Sequence, residues 1–96
     1  MINTNSTIGN NCILNSGVII EHSAIIGNNV NISPGAVLNG DVKIGDDTWI
    51  GSNSTIFGQV NIGKNCIIGA GSIIRKDVPD NHVVVGKGEF LKYNEK

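Results

Sequence analysis

Two histidines are the side chains of this 96-residue sequence best suited to proton transfer, because an unperturbed imidazole changes charge near neutral pH. His22 follows an apolar pair in the segment Ile-Ile-Glu-His-Ser, and its imidazole is a candidate general base. A lone histidine in such a segment is also compatible with an ordinary turn residue. His82 lies much further along the chain, and we expect it in a surface loop. Two histidines so far apart do not supply a three-imidazole site, so we expect no metal.

A six-residue repeat predicts the elements that position these residues. Every sixth residue from position 2 to position 74 is Ile or Leu, and the residue four positions after each is small or β-branched. Pairs of turn-forming residues, such as Asn10-Asn11 and Pro34-Gly35, separate consecutive hexads. Because residues two apart on a strand point to the same face, each hexad predicts one short strand with two inward side chains.

Three hexads make one triangular coil, as a set of glycines that recurs in every third hexad indicates: Gly9, Gly27, Gly45 and Gly63. The sequence therefore predicts an all-β fold, a single-stranded parallel β-helix of hexapeptide repeats with about four triangular coils. We assign this β-helix to residues 1–79. Residues 80–96 are expected to form a C-terminal strand or loop and a tail that caps the last coil.

Composition and charge exclude several classes of partner. The net charge of −1 and a pI near 6.0 provide no basic excess, so neither nucleic acid nor an anionic membrane is expected as a partner. No apolar run approaches the roughly 20 residues that span a bilayer, and the first five residues do not begin a signal peptide. Cys12 and Cys66 occupy inward positions three coils apart, about 14 Å at ordinary strand spacing, which is beyond disulfide reach. We therefore expect free thiols and a cytoplasmic location.

Two of the three outward faces are predicted to be apolar. One carries apolar or β-branched residues at positions 19, 37, 55 and 73, and the neighbouring face carries Ile13, Asn31, Trp49 and Ile67. A continuous exposed apolar surface usually marks an interface. Two flat faces that meet at a thin edge suit packing about a threefold axis, so we expect a homotrimer.

His22 is predicted to occupy a corner of the coil. The equivalent corners of the next two coils are Gly40 and Gly58, so no side chain stands beside the imidazole along the axis. This leaves a groove, which in a trimer would face Asn31 and Trp49 of the neighbouring subunit. An imidazole in an intersubunit groove favours the general-base interpretation.

A series of short motifs follows in order along the chain: Glu21–Gly27 (EHSAIIG), Ile32–Gly35 (ISPG), Val42–Gly45 (VKIG), Ile68–Ser72 (IGAGS), Lys76–Pro79 (KDVP) and Val84–Gly86 (VVG). Over residues 2–86 the chain resembles the hexapeptide-repeat sugar acetyltransferases of the sialic acid O-acetyltransferase (NeuD) and bacterial amino-sugar N-acetyltransferase (PglD) family. The resemblance is to the C-terminal β-helix domain of that family only. It implies that the β-helix is left-handed.

The same resemblance implies an activity and a site. The reaction is the acetyl-CoA-dependent acetylation of an amino or hydroxyl group of a sugar. His22 is then the general base, and the Gly40 N–H stabilises the tetrahedral oxyanion. Asn31, Ser52 and Ala70 match positions that line the CoA site. The implied partners are acetyl-CoA, a sugar substrate and the other two chains of the trimer.

Two residues depart from the family pattern. Ser23 stands where the family usually has Asp or Glu after its histidine, and Asn31 stands where many relatives have a second histidine. An alternative interpretation is therefore a catalytically impaired or truncated β-helix that serves as a trimerisation or CoA-binding module. An acetyltransferase of the serine or maltose type is a weaker third alternative, because those enzymes differ around their catalytic histidine.

Overall fold

Short strands make up the described part of the computed structural model, which comprises residues 1–3, 5–86 and 89–92. Twelve two-residue strands follow one another at six-residue intervals: β1 (Thr7–Ile8), β2 (Ile13–Leu14), β3 (Ile19–Ile20), β4 (Ile25–Ile26), β5 (Asn31–Ile32), β6 (Val37–Leu38), β7 (Lys43–Ile44), β8 (Trp49–Ile50), β9 (Thr55–Ile56), β10 (Asn61–Ile62), β11 (Ile67–Ile68) and β12 (Ile73–Ile74). Two longer strands follow, β13 (His82–Val85) and β14 (Glu89–Lys92). These residues contain no helix, hence none able to cross a bilayer.

The strands stack into three ladders, one on each face of a triangular coil. The first face consists of β1, β4, β7 and β10; the second of β2, β5, β8 and β11, continued by β13 and β14; the third of β3, β6, β9 and β12. Partners in the repeat are parallel and three hexads apart, as in the pair Asn31↔Trp49. The predicted all-β parallel solenoid of about four coils is thereby confirmed. Its left-handed sense stays a prediction from the family resemblance.

At every corner from residue 5 to residue 71, the chain turns because the second corner residue adopts a positive φ. Asn11, Asp47 and Asn65 have φ values of 60°, 59° and 56°, and Gly17 takes the same place with a φ of 73°. Short polar side chains tolerate this left-handed conformation better than other non-glycine residues, and glycine adopts it freely. The abundance of Asn and Gly in the sequence therefore follows from the geometry of the corners.

The core is a column of aliphatic side chains along the axis of the coil. The sixth-residue positions from 20 to 74 are at most 3% exposed, and the smaller inward positions from 18 to 78 are at most 4% exposed. At the N-terminal end, Ile2 is 51% exposed, and Ile8 and Leu14 are half-buried. These three occupy inward positions, but no coil of the described chain covers them.

Inward polar side chains bond to the backbone of the adjacent coil. Thr48 Oγ1 donates to the Gly63 carbonyl at 2.8 Å and accepts the Cys66 N–H at 3.2 Å. Cys66 is buried, Cys12 is half-buried, and both are free thiols, as predicted. The small inward positions therefore tie neighbouring coils together as well as filling space.

The last turn of the ladders is shorter than the others. Ile67 pairs with Val83, and Ile62 pairs with Val78. In both pairs the partner lies two positions before the place that a full coil of three hexads would give. Strand pairing therefore continues past residue 79, where the sequence predicts the β-helix to end. His82 is the first residue of β13 and is half-buried, so the expectation of a surface loop is wrong.

The C-terminal region contributes one strand of opposite direction. β14 pairs antiparallel with β13 and lies at the outer edge of the second face. The sequence predicts a strand or loop within residues 80–96 and a tail that caps the last coil. Residues 87–88 and 93–96 lie outside the described residues, so the capping of the last coil stays a prediction.

Candidate active site

His22 lies at the corner between the third and first faces, where the chain passes from β3 to β4. Its exposed side chain contacts Gly40, which is the equivalent corner residue of the next coil. A Cβ on Gly40 would lie 2.9 Å from both Cε1 and Nε2 of the imidazole, closer than real Cβ atoms approach. The structure therefore brings together the two residues predicted to perform the catalytic step.

The backbone of Gly40 has a free donor within the described part of the chain. Its carbonyl accepts the Gln59 N–H at 2.9 Å, and the neighbouring Asp41 N–H donates to the His22 carbonyl at 3.0 Å. The Gly40 N–H itself reaches no acceptor among residues 1–3, 5–86 and 89–92. An unbonded N–H on the residue that contacts an imidazole is chemically suited to stabilise an oxyanion.

Glu21 and His22 reach in opposite directions along the axis. Glu21 Oε1 accepts a hydrogen bond from Asn3 Nδ2 at 3.3 Å in the preceding coil, whereas the His22 ring reaches the following coil. Ser23 carries no charge and adopts a φ of 60°. The immediate sequence neighbours of His22 therefore do not place a carboxylate against its ring.

A cavity of about 260 Å³ opens at the corner between the second and third faces. Its lining comes from neighbouring coils and includes Ser33, Trp49, Gly51, Ser52, Gly69 and Ala70. Two of the three residues predicted to bind CoA, Ser52 and Ala70, are thus brought together here. The third, Asn31, does not line the cavity; it lies on β5, where its Oδ1 accepts a hydrogen bond from Asn15 Nδ2 at 3.4 Å.

Trp49 forms one wall of this cavity. The sequence predicts that Trp49 faces the His22 groove of a neighbouring subunit, but it does not place Trp49 among the residues that line the CoA site. Its indole is 52% exposed, and its Nε1–H donates to Ser33 Oγ at 2.8 Å. Because Ser33 is itself buried, this bond fixes the orientation of the ring. The sequence offered one signal: the single tryptophan occupies an outward position in register with Asn31.

The depth of the cavity depends on close approach of two coils at Gly51. A Cβ on Gly51 would lie 2.5 Å from the Ala70 nitrogen and 2.6 Å from the Ile68 carbonyl oxygen. Both are backbone atoms, which cannot rotate away as the end of a side chain can. The small residues at this corner therefore let the coils stack tightly while leaving space outside them.

The two groups of predicted residues lie at different corners of one chain. His22 and Gly40 lie at the edge that the third face shares with the first face, whereas Ser52 and Ala70 lie at the edge it shares with the second. The strands of the third face stand between them. Both members of each pair lie together within one chain, but the two pairs lie at separate corners of that chain.

The described residues hold no group of three His, Cys, Asp or Glu side chains able to bind a metal ion. His82 is separated from the His22 corner by the coils between β3 and β13. Its Nδ1 lies 2.9 Å from the Asp80 carbonyl oxygen. The chemistry available at the site is therefore that of an imidazole, backbone donors and an apolar cavity.

A triangular coil of two-residue strands, with a histidine at one corner and a small-residue cavity at another, defines a hexapeptide-repeat solenoid. Residues 5–40 and 41–76 each match the family described as bacterial transferase hexapeptide (six repeats). The chain belongs to this bacterial transferase hexapeptide family. In sequence comparison, no curated protein matches it.

Three solved structures illustrate what the chain is similar to. A mutant perosamine N-acetyltransferase from Caulobacter crescentus, in complex with CoA and GDP-perosamine, is 28% identical with a TM-score of 0.92 over 94% of this chain. The acetyltransferase domain of PglB from Neisseria gonorrhoeae, in complex with acetyl coenzyme A, is 31% identical with a TM-score of 0.92 over 94%. Serine acetyltransferase (CysE) from Neisseria gonorrhoeae is 34% identical with a TM-score of 0.88 over 95%. The chain spans 43%, 44% and 40% of those three chains, respectively.

Proposed function

We propose that this chain is the β-helix of an acetyl-CoA-dependent acetyltransferase that modifies an amino or hydroxyl group of a sugar. The observation that carries the proposal is the contact between the His22 imidazole and Gly40, which sets a base beside a free backbone N–H. A base and an oxyanion donor are the two groups that acyl transfer from a thioester requires. The likeness to two acetyltransferase structures solved with CoA or acetyl-CoA supports the same chemistry.

In the proposed mechanism, His22 accepts a proton from the acceptor amine or hydroxyl as that group attacks the thioester carbonyl. The Gly40 N–H donates to the carbonyl oxygen as the oxygen gains negative charge. Collapse of the tetrahedral intermediate breaks the C–S bond and leaves an amide or ester on the acceptor. The proton held by the imidazole then passes to the thiolate, so CoA departs as the free thiol.

The proposed active form is a homotrimer, in which His22 of one chain faces the cavity of another. The separation of the two residue pairs by the third face supports this, because a neighbouring chain could place its cavity against the imidazole, whereas the described chain does not. Ile13 on the second face is 54% exposed and Ile19 on the third is 36% exposed, so both faces offer apolar contact surface. The pantetheine arm would lie in the groove between chains, along Ser52, Ala70 and Asn31.

The proposed acceptor is an amino sugar, free or nucleotide-linked. The similar perosamine N-acetyltransferase structure contains GDP-perosamine, which supports a nucleotide-linked acceptor. L-Serine is a second candidate, because the chain is 34% identical to CysE over 95% of its length. His22 has the same role with either acceptor, since both present a nucleophile that must lose a proton.

Release of free thiol from acetyl-CoA, measured with amino sugars, nucleotide-linked amino sugars and L-serine, tests this function. Turnover is expected with a sugar acceptor. His22→Ala should lower kcat by about 10²–10⁴-fold, the usual contribution of a general base, while acetyl-CoA still binds. His82→Ala is the matched control and should keep the activity of the unmodified chain. Turnover with L-serine alone would select the second acceptor.

A non-catalytic trimerisation or CoA-binding module is the alternative function. Ser23 and Asn31 support it, because Ser23 stands where the family usually has Asp or Glu and Asn31 stands where many relatives have a second histidine. In that case acetyl-CoA binds, but no acceptor in the panel releases thiol, and His22→Ala changes nothing. That outcome would contradict the proposed enzyme activity.

A further inference from the structure

Asn39 and Gly40 form the only Asn-Gly pair of the sequence. β6 ends at Leu38, and the pair leads from this strand into the corner where His22 lies. Both residues are half-buried, so water reaches them. Asparagine is chemically labile, because the backbone nitrogen of the next residue can attack its side-chain amide. Glycine hinders this attack least, since it has no Cβ.

The backbone nitrogen that would attack is free of the strand ladders. The Asn39 N–H donates to the Ile56 carbonyl at 3.0 Å, and the Asp41 N–H donates to the His22 carbonyl at 3.0 Å. Between them, the Gly40 N–H has no acceptor within residues 1–3, 5–86 and 89–92. An N–H held in a ladder must give up its hydrogen bond before its nitrogen can attack. The Gly40 nitrogen carries no such cost.

The side-chain amide of Asn39 has a matched counterpart elsewhere in the repeat. Asn39 Nδ2 donates to the Ile56 carbonyl of the next coil at 3.1 Å. Asn15 occupies the same hexad position, and its Nδ2 donates to the Ile32 carbonyl of the next coil at 2.9 Å. The residue after Asn15 is a serine, which has a Cβ. Asn15 therefore serves as an internal reference for the effect of Gly40.

A base lies beside the glycine of the pair. The Cε1 and Nε2 atoms of His22 are each 2.9 Å from the position that a Cβ on Gly40 would occupy. An amide nitrogen must lose its proton as it attacks, and an imidazole is suited to accept a proton near neutral pH. The His22 corner therefore combines a labile amide, a free backbone nitrogen and a base.

We propose that Asn39 and Gly40 form a modification site, at which the asparagine converts to isoaspartate or aspartate. The Gly40 nitrogen attacks Asn39 Cγ, and the new N–Cγ bond closes a succinimide ring. The His22 imidazole accepts the Gly40 proton and passes it to the departing Nδ2, so ammonia leaves. Water then opens the ring: cleavage of the N–Cγ bond gives aspartate, and cleavage of the original peptide bond gives isoaspartate.

Isoaspartate would alter the geometry of the site. The main chain then runs through the side chain of residue 39, which adds one carbon to the backbone before Gly40. This moves both the Gly40 N–H and the surface against which His22 lies. Because a misplaced catalytic group can cost on the order of 10²-fold in rate, activity should fall in proportion to the fraction converted to isoaspartate. This consequence rests on the proposed function, whereas the covalent change does not.

Peptide mapping by mass spectrometry on the full chain, aged in a mildly alkaline buffer, tests the modification. Amide-to-acid conversion is followed at Asn39 and Asn15 in the same sample, and labelling by an isoaspartyl methyltransferase detects isoaspartate. Asn39 should convert first. Asn39→Gln should prevent conversion at this position, because the longer side chain must close a larger ring, and Asn15→Gln should leave the rate at Asn39 unchanged. Far-UV circular dichroism establishes that each sample is folded.

The outcomes separate the modification from the activity. Equal rates at the two asparagines, or faster conversion of Asn15, overturn the modification site. His22→Gln should slow conversion at Asn39 but not at Asn15; an unchanged rate at Asn39 overturns the role of the imidazole and leaves the site. Loss of thiol release that follows conversion supports the link to activity, and constant thiol release overturns that link. A chain without turnover fails the proposed function, while peptide mapping still decides the modification.

Discussion

The His22 imidazole lies against Gly40, the residue at the same corner of the next coil. The ring occupies the space that a side chain on Gly40 would fill, since a Cβ there would lie 2.9 Å from two ring atoms. The orientation of the proposed base therefore depends on a residue that has no side chain. The same residue carries the free N–H that faces the proposed oxyanion.

Gly40→Ala should displace the imidazole without unfolding the coil. The clash is with the far end of a flexible side chain, and Gly40 does not adopt a left-handed φ. A misplaced base can cost on the order of 10²-fold, and we expect a loss of that size in kcat. Thiol release and thermal unfolding measure the two effects. In a His22→Ala background the same change should have no further effect on kcat; a second large loss there would contradict the proposed contact.

Gly51→Ala should destabilise the fold directly. The new methyl group would meet backbone atoms of Ile68 and Ala70 at 2.6 Å and 2.5 Å, so two coils must separate, at a cost of about 1–3 kcal/mol. Gly58→Ala is the matched control, because its Cβ would lie 3.2 Å from the nearest atom, the Gly40 carbonyl oxygen. Urea unfolding should rank Gly51→Ala well below Gly58→Ala; equal stabilities would show that the coils are not packed as described.

Trp49 should report the binding of CoA. Its indole is half-exposed on the wall of the cavity, so a ligand that fills the cavity should remove water from the ring and shift its emission to shorter wavelength. Ala70→Leu should fill the same space and weaken binding about tenfold, equivalent to about 1.4 kcal/mol. His22→Ala should keep the shift. A fluorescence titration that shows no shift at saturating CoA would place the ligand elsewhere.

Cys66 should react with alkylating reagents more slowly than Cys12. Burial raises the pKa of the Cys66 thiol from its ordinary value of 9.0, so less of the reactive thiolate is present at a given pH. Single Cys→Ser variants at the two positions separate the two rates. Faster labelling of Cys66 than of Cys12 in the folded chain would contradict the burial described for Cys66.

The same thiol gives the stability of the protein a pH dependence. Because its pKa is raised on folding, the folded chain keeps this proton when the unfolded chain has lost it. The contribution of this thiol to the free energy of unfolding is therefore fully present below the ordinary pKa of 9.0. It is lost as the pH rises through the higher pKa of the folded state. Urea unfolding between pH 8 and pH 10.5 should show a steeper fall for the unmodified chain than for Cys66→Ser.

The hexad spacing was sufficient to predict the inward residues, the corners and the three ladders, because one large and one small inward side chain per strand determine which residues face the axis and which lie at the corners. The spacing does not determine the handedness of the coil. The shortened last turn could not be read from it. Val78 satisfies the hexad pattern as a small inward residue, and it is buried, but it pairs with Ile62 rather than with the residue a full coil before it. The pattern therefore continues to fit at the point where the register has already changed.

The His22–Gly40 pair and the cavity wall also differ in how far the sequence predicts them. The pairing of His22 with Gly40 follows from their shared corner, which the sequence spacing defines. The cavity wall does not, because the direction of the Trp49 indole is set by a hydrogen bond to Ser33 in the preceding coil. Side-chain directions on an outward face depend on such individual bonds, which periodicity does not encode.

Because three hexads make one full turn of the coil, the number of residues between two positions determines the corners or faces on which they lie. An insertion of one hexad between His22 and Ser52 would rotate every later residue by a third of a turn and exchange the faces on which they lie. An insertion of three hexads would keep all corners in phase and only lengthen the groove by about 4.8 Å, one strand spacing. An insertion of whole coils therefore keeps the corners of the β-helix aligned, whereas any other change of length between the two corners alters which residues lie at each corner.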